Sequence, residues 1–126
     1  MRINFFYFFI SNFIFISCSK SYSDSCQDVN FSYFVSTDPA DSSYNKRAKN
    51  VIVKVIDSKN NIIMDTTDTL GRFNIVGNLC FPYKGRVETL DGTKYMQMSS
   101  QASSSEGCKS CHYPGGNANS YIYILP

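Results

Sequence analysis

A chain of 126 residues is long enough for one domain and too short for two. The formal charge is only +2, and basic residues occur singly or in short clusters such as Lys46, Arg47 and Lys49. That pattern reads as a solvated face and gives no electrostatic case for nucleic acid as a partner.

Met1 and Arg2 form a minimal positive start, followed by an apolar run over residues 3–16 (INFFYFFISNFIFI). Asn4, Ser11 and Asn12 interrupt it, and it falls short of the roughly 20 apolar residues a membrane-spanning helix needs. Residues 1–17 read as a secretory signal. Ile16, Ser17 and Cys18 close the run, and a Ser-rich polar stretch follows. A small residue, a cysteine and a polar tether resemble the lipobox of bacterial lipoproteins, with Phe15 in place of the usual Leu. The resemblance implies lipidation of Cys18, a tether over residues 18–29, and an exported protein held at the outer membrane, on its periplasmic or surface side. An ordinary signal peptide with an incidental Cys18 is the other reading. Removing residues 1–17 takes away Arg2 and lowers the charge from +2 to +1.

From residue 30 onward, short strand-like runs alternate with turn clusters. Residues 30–35 (NFSYFV) are aromatic and β-branched, and residues 38–43 (DPADSS) are a loop by composition. Residues 50–57 (NVIVKVID) alternate apolar and polar, the period of a half-buried strand. After the turn SKNN, residues 62–67 (IIMDTT) return as a hairpin partner, with Met64 expected in the core. Residues 72–76 (RFNIV) make the next strand, which Gly77 to Pro82 are expected to break. Residues 83–90 and 93–98 flank Asp91 and Gly92, a strong hairpin signal. A last alternating strand is expected over residues 120–125 (SYIYIL). No helical period runs for ten residues, and seven short strands with regular turns predict an all-β, seven-stranded sandwich over residues 30–126.

Within this pattern, Val51, Val53, Val55, Asp57, Ile62, Ile63, Thr67, Asp68, Gly71, Phe73, Leu79 and Tyr83 fall in the order seen in carboxypeptidase regulatory-like domains. The chain resembles that family over about residues 48–96, except that Phe81 and Pro82 replace the usual Gly before Tyr83. The resemblance implies an immunoglobulin- or transthyretin-like sandwich that serves as scaffold or binding surface, not as an enzyme.

The chemistry is concentrated in GCKSCHYPGG, where Cys108, Cys111 and the chain's single histidine, His112, occupy five positions in a loop expected over residues 99–119. Cys-x-x-Cys-His is the attachment signature of c-type haem. Two thiols three apart reach the two vinyl-bearing edges of the porphyrin, and the adjacent histidine can take the iron. The motif thus resembles that of the c-type cytochromes, and the tail CKSCHYPGGNANSYIYILP resembles small exported sandwiches that carry haem between their last two strands. A zinc site lacks ligands, since Cys26 and Cys80 are solitary. A thioredoxin-like dithiol needs a helix that Pro114, Gly115 and Gly116 forbid beyond one turn. A plain Cys108–Cys111 disulfide remains as the alternative, one that leaves His112 unexplained.

Five cysteines is an odd count for an exported chain. If Cys18 carries lipid and Cys108 and Cys111 share one role, Cys26 and Cys80 remain and are expected to pair. No methionine follows His112, but Met96 and Met98 precede it on one face of a strand. Either is a candidate sixth ligand to the iron, and equally a core or covering side chain. Tyr95, Tyr113, Tyr121 and Tyr123 are candidate apolar cover. No Ser/His/Asp array or phosphate loop is visible, so no enzyme activity is expected. The function expected is electron transfer by a covalently held haem c, between redox partners at the membrane or cell surface. The alternative is a non-redox surface lipoprotein, a disulfide-stapled binding or structural module.

Overall fold

The computed structural model describes residues 25–103 and 107–126. The expected signal at residues 1–17, Cys18 and most of the tether lie outside the described residues. The strands are β1 (Cys26–Phe34), β2 (Val51–Ile56), β3 (Ile62–Thr66), β4 (Arg72–Cys80), β5 (Lys84–Thr89) and β6 (Tyr95–Gln97), with short 3-10 turns at Tyr44–Lys46 and Cys108–Ser110. All ladders are antiparallel: β1 pairs with β4, and the second sheet has the order β3-β2-β5-β6. The protein is therefore all-β with two sheets.

Alternation places the core. Val51, Val53 and Val55 of β2 are buried, whereas Ile52, Lys54 and Ile56 are half-exposed. Val29, Phe31, Ile75 and Leu79 of the two-stranded sheet join these valines and Val87 in one buried cluster, so the sheets share a core. Outward from β2 and β5, Glu88 accepts from Lys54 at 3.1 Å and from Arg86 at 2.9 Å.

Two aspartates shape the turns. The buried carboxylate of Asp57 accepts the amide N–H groups of Lys59 and Asn61 at 2.9 Å and of Cys80 at 3.1 Å. One side chain thereby closes the β2–β3 hairpin and ties it to the end of β4. Between β3 and β4, Asp68 caps a turn that ends at Gly71, whose φ is 72°. A Cβ there would lie 2.8 Å from the Val35 carbonyl oxygen, so the crossing between sheets requires glycine.

The expected hairpins form, but four details differ. β1 begins at Cys26, inside the expected tether, because Gln27 and Asp28 pair with Leu79 and Asn78 while their polar side chains face solvent. β4 continues through Gly77 to Cys80, where a break was expected: glycine adopts φ 152° and leaves room for the Ile63 side chain. Met64 is exposed, since Ile63 is the inward residue of β3 and alternation turns Met64 outward. Residues 120–125 form no ladder. Tyr123 makes one parallel bridge with Ser36, whose N–H donates to Ile122 and whose carbonyl accepts from Ile124. The expected pairing of Cys26 with Cys80 is present as a disulfide between direct cross-strand neighbours.

Candidate functional site

The loop that carries the cysteine motif is docked by glycine. Gly107 lies so close to the Phe31 ring that a Cβ would meet it at 2.5 Å. The chain then winds into a single turn, in which Cys111 and His112 both donate backbone N–H groups to the Cys108 carbonyl, at 3.2 and 3.0 Å. Gly116 folds back over it, its absent Cβ 2.5 Å from the Cys111 carbonyl oxygen. The Tyr33 hydroxyl of β1 donates to the His112 carbonyl, which fixes the turn to the two-stranded sheet.

His112 is a half-buried imidazole with unequal nitrogens. The ring is hydrogen-bonded to the Ser120 backbone, while Nδ1 is buried and has no hydrogen-bond partner among the described residues. Burial lowers its pKa and outweighs the opposing Ser120 bond, so the ring is held neutral. Cys108 is a free thiol whose pKa burial pushes up to about 12. It is thus protonated near neutrality, unlike the activated thiolate of a redox dithiol. Tyr33 is likewise pushed up to about 12, first by burial and then by Tyr121 and Cys108 nearby.

Cys108 and His112 border one cavity of about 160 Å³. Its floor is the inner face of the four-stranded sheet, with Val53, Val55 and Val87; the β5–β6 margin adds Met96 and Met98; the far wall comprises Cys108, His112 and residues 120–123. Four residues singled out by sequence, Met96, Met98, Cys108 and His112, therefore meet on one largely apolar surface. Tyr121 and Tyr123 join them. Tyr95 does not: it stands opposite Glu88 on the outward face and lies over the Arg86 guanidinium at 3.9 Å. Tyr113 is exposed beside the turn.

Cys111 departs from the pattern. It is 3% exposed, packs in the shared core, does not border the cavity, and is disulfide-bonded. Cys108 and Cys111 are thus not bridged to each other. Among the described residues no group of three or more His, Cys, Asp or Glu side chains converges as a metal site would.

Against a c-type haem, the fit divides. A neutral histidine with one nitrogen held by backbone and the other unpartnered is the arrangement of a metal-ligating imidazole. An apolar wall bearing a free thiol suits a porphyrin edge. Cys111 fits only after its disulfide opens and its side chain leaves the core. Gly85, opposite Met98, and Tyr33 were not singled out from sequence. Gly85 could have been found by counting across the hairpin from Asp91 and Gly92; Tyr33 acts across 79 positions and left no local signal.

No protein-family model matches the chain, and comparison with curated proteins and solved structures returns no match.

Proposed function

We propose that this protein is an exported monohaem carrier, anchored through a lipidated Cys18, that passes electrons between partners at the membrane or cell surface. Its two sheets are the halves of an immunoglobulin- or transthyretin-like sandwich of the carboxypeptidase regulatory-like type, and the loop at residues 99–119 presents the cofactor. One observation carries the reading: Met96, Met98, Cys108 and His112 border a single apolar cavity.

The roles follow from the chain. His112 supplies the iron ligand: burial keeps the imidazole neutral, Ser120 orients it, and Tyr33 holds its backbone. Cys108 and Cys111 would hold the haem covalently through their sulfurs. Cys111 must first be released from its disulfide by a thiol reductant. Valines and tyrosines exclude water from the enclosed side. A haem held there supplies one-electron transfer. The enclosed 160 Å³ is below the roughly 300 Å³ at which small-molecule pockets begin, so much of a porphyrin would lie outside it, accessible to partners.

A second reading has its own support. The buried, disulfide-bonded Cys111 fits a non-redox surface module stapled by sulfur. The two are separated by expressing the chain with its signal alongside haem-attachment machinery. The haem reading expects a red protein whose denatured intact mass includes one haem. A colourless protein of apo mass leaves the stapled module.

A further inference from the structure

We infer that the outward face of the two-stranded sheet binds an acidic saccharide, its carboxylate on Arg47 and Arg72 and its ring against Tyr44. The inference is independent of the haem reading, since no residue of this face borders the cavity of Cys108 and His112. Alternation along β1 and β4 buries Phe31, Phe73 and Ile75, and turns Ser32, Arg72 and Asn74 out to solvent. In the ladder Ser32 stands opposite Asn74, and Phe34 opposite Arg72. A cleft of about 580 Å³ lies over these residues, bordered also by Asp65, Asp68, Tyr44 and Arg47. That volume falls within the roughly 300–1,000 Å³ of small-molecule sites.

The formal charges of the cleft balance, but its hydrogen bonds do not. Asp65 accepts the backbone N–H groups of Thr66 and Asn74, one on each oxygen, at 2.8 Å. Asp68 accepts those of Leu70 and Arg72 at 2.9 Å, and Arg72 Nε at 3.0 Å. Both carboxylates are therefore engaged. The guanidinium groups are not: Arg47 gives Nε to the Ser42 carbonyl at 3.0 Å and Nη1 to the Leu70 carbonyl at 2.8 Å, and Arg72 gives only Nε. Nη2 of Arg47 and both Nη groups of Arg72 meet no acceptor among the described residues. Unmet donors in a planar fork suit a carboxylate, which takes two parallel N–H bonds. With two fixed carboxylates alongside, one negative charge is favoured over a phosphate dianion.

The rest of the ligand follows from the aromatic groups. The Arg47 guanidinium is layered between two rings, 4.0 Å from the Phe34 centroid and 4.8 Å from that of Tyr44. This stack fixes the guanidinium plane and holds the Tyr44 ring at the margin of the cleft, 69% exposed. A pyranose packs its C–H face on such a ring and bonds through hydroxyls at its edges. Ser32, Asn74 and the spare lone pairs of Asp65 and Asp68 offer partners to several hydroxyls, more than an aromatic acid could use.

The test titrates the full chain with oligosaccharides of galacturonate, glucuronate and mannuronate, and with their methyl esters, by calorimetry. At least one acid is expected to bind, its uncharged ester about tenfold more weakly, with affinity falling as salt is added. Arg72→Gln is expected to cost about tenfold for the acid and little for the ester, whereas Tyr44→Ala weakens both. Lys84→Gln, on the outward face of the other sheet, is expected to leave affinity unchanged. If Tyr44→Ala fails to accumulate, the ester and Arg72→Gln carry the comparison. The inference is overturned if no acid binds, if acid and ester bind alike, or if Lys84→Gln costs as much as Arg72→Gln. Those outcomes leave the haem reading standing, which colour and intact mass decide.

Discussion

Burying a carboxylate is costly unless its oxygens are saturated, and at Asp57 burial is opposed by the N–H groups of Asn61, Cys80 and Lys59. The hydrogen bonds win, and the folded pKa lies below the ordinary carboxylate value. A depressed folded pKa contributes stability that is complete above the unfolded value, about 3.9, and is lost as pH falls through the folded one. Asp57→Asn keeps the shape but not the charge, and turns an amide donor toward a site of donors. The expected cost is about 2 kcal/mol at pH 7, shrinking below about pH 4, as measured by urea unfolding across pH. Asp57 was legible as a turn residue from sequence; its bond to Cys80 was not, because that partner comes from the other sheet.

At the level of elements, the turns separate backbone preference from packing. Gly71 and Gly92 both have positive φ, 72° and 75°. A Cβ on Gly92 meets nothing within 4 Å, whereas one on Gly71 meets Val35 and Arg47 below 3 Å. Gly92→Ala is expected to cost about 1 kcal/mol, the left-handed penalty alone. Gly71→Ala is expected to cost about 3 kcal/mol, because overpacking is added. Equal shifts in the two unfolding midpoints would contradict this account. The hairpins were readable because local signals agree: Val51, Val53 and Val55 alternate, and Asp91 and Gly92 make the turn. The start of β1 and the passage of β4 through Gly77 were not, since a long-range ladder decides them. Likewise the motif pointed to Cys108 and His112, and strand parity to Met96 and Met98, but only tertiary packing separates Cys108 at the cavity from Cys111 in the core.

For the whole molecule, size governs. A domain of about a hundred residues buries only roughly 60–65% of its unfolded surface, and such domains are marginal. The Cys26–Cys80 disulfide spans 54 positions, which corresponds in the chain-entropy account to about 4 kcal/mol. Replacing both cysteines by serine is expected to lower unfolding free energy by about that amount, a large share of a typical 5–15 kcal/mol. Denaturant midpoints of the two forms, compared without reductant, measure it.

The same bond also determines how the body bears load. Chain preceding β1 enters at Cys26, the residue joined through sulfur to Cys80 at the far end of β4. A pull from that direction meets the bond from the Phe81 N–H to the Ser25 carbonyl and then the covalent bridge, before it reaches the ladder from Gln27 to Phe34. β1 is thereby shielded from being peeled away pair by pair.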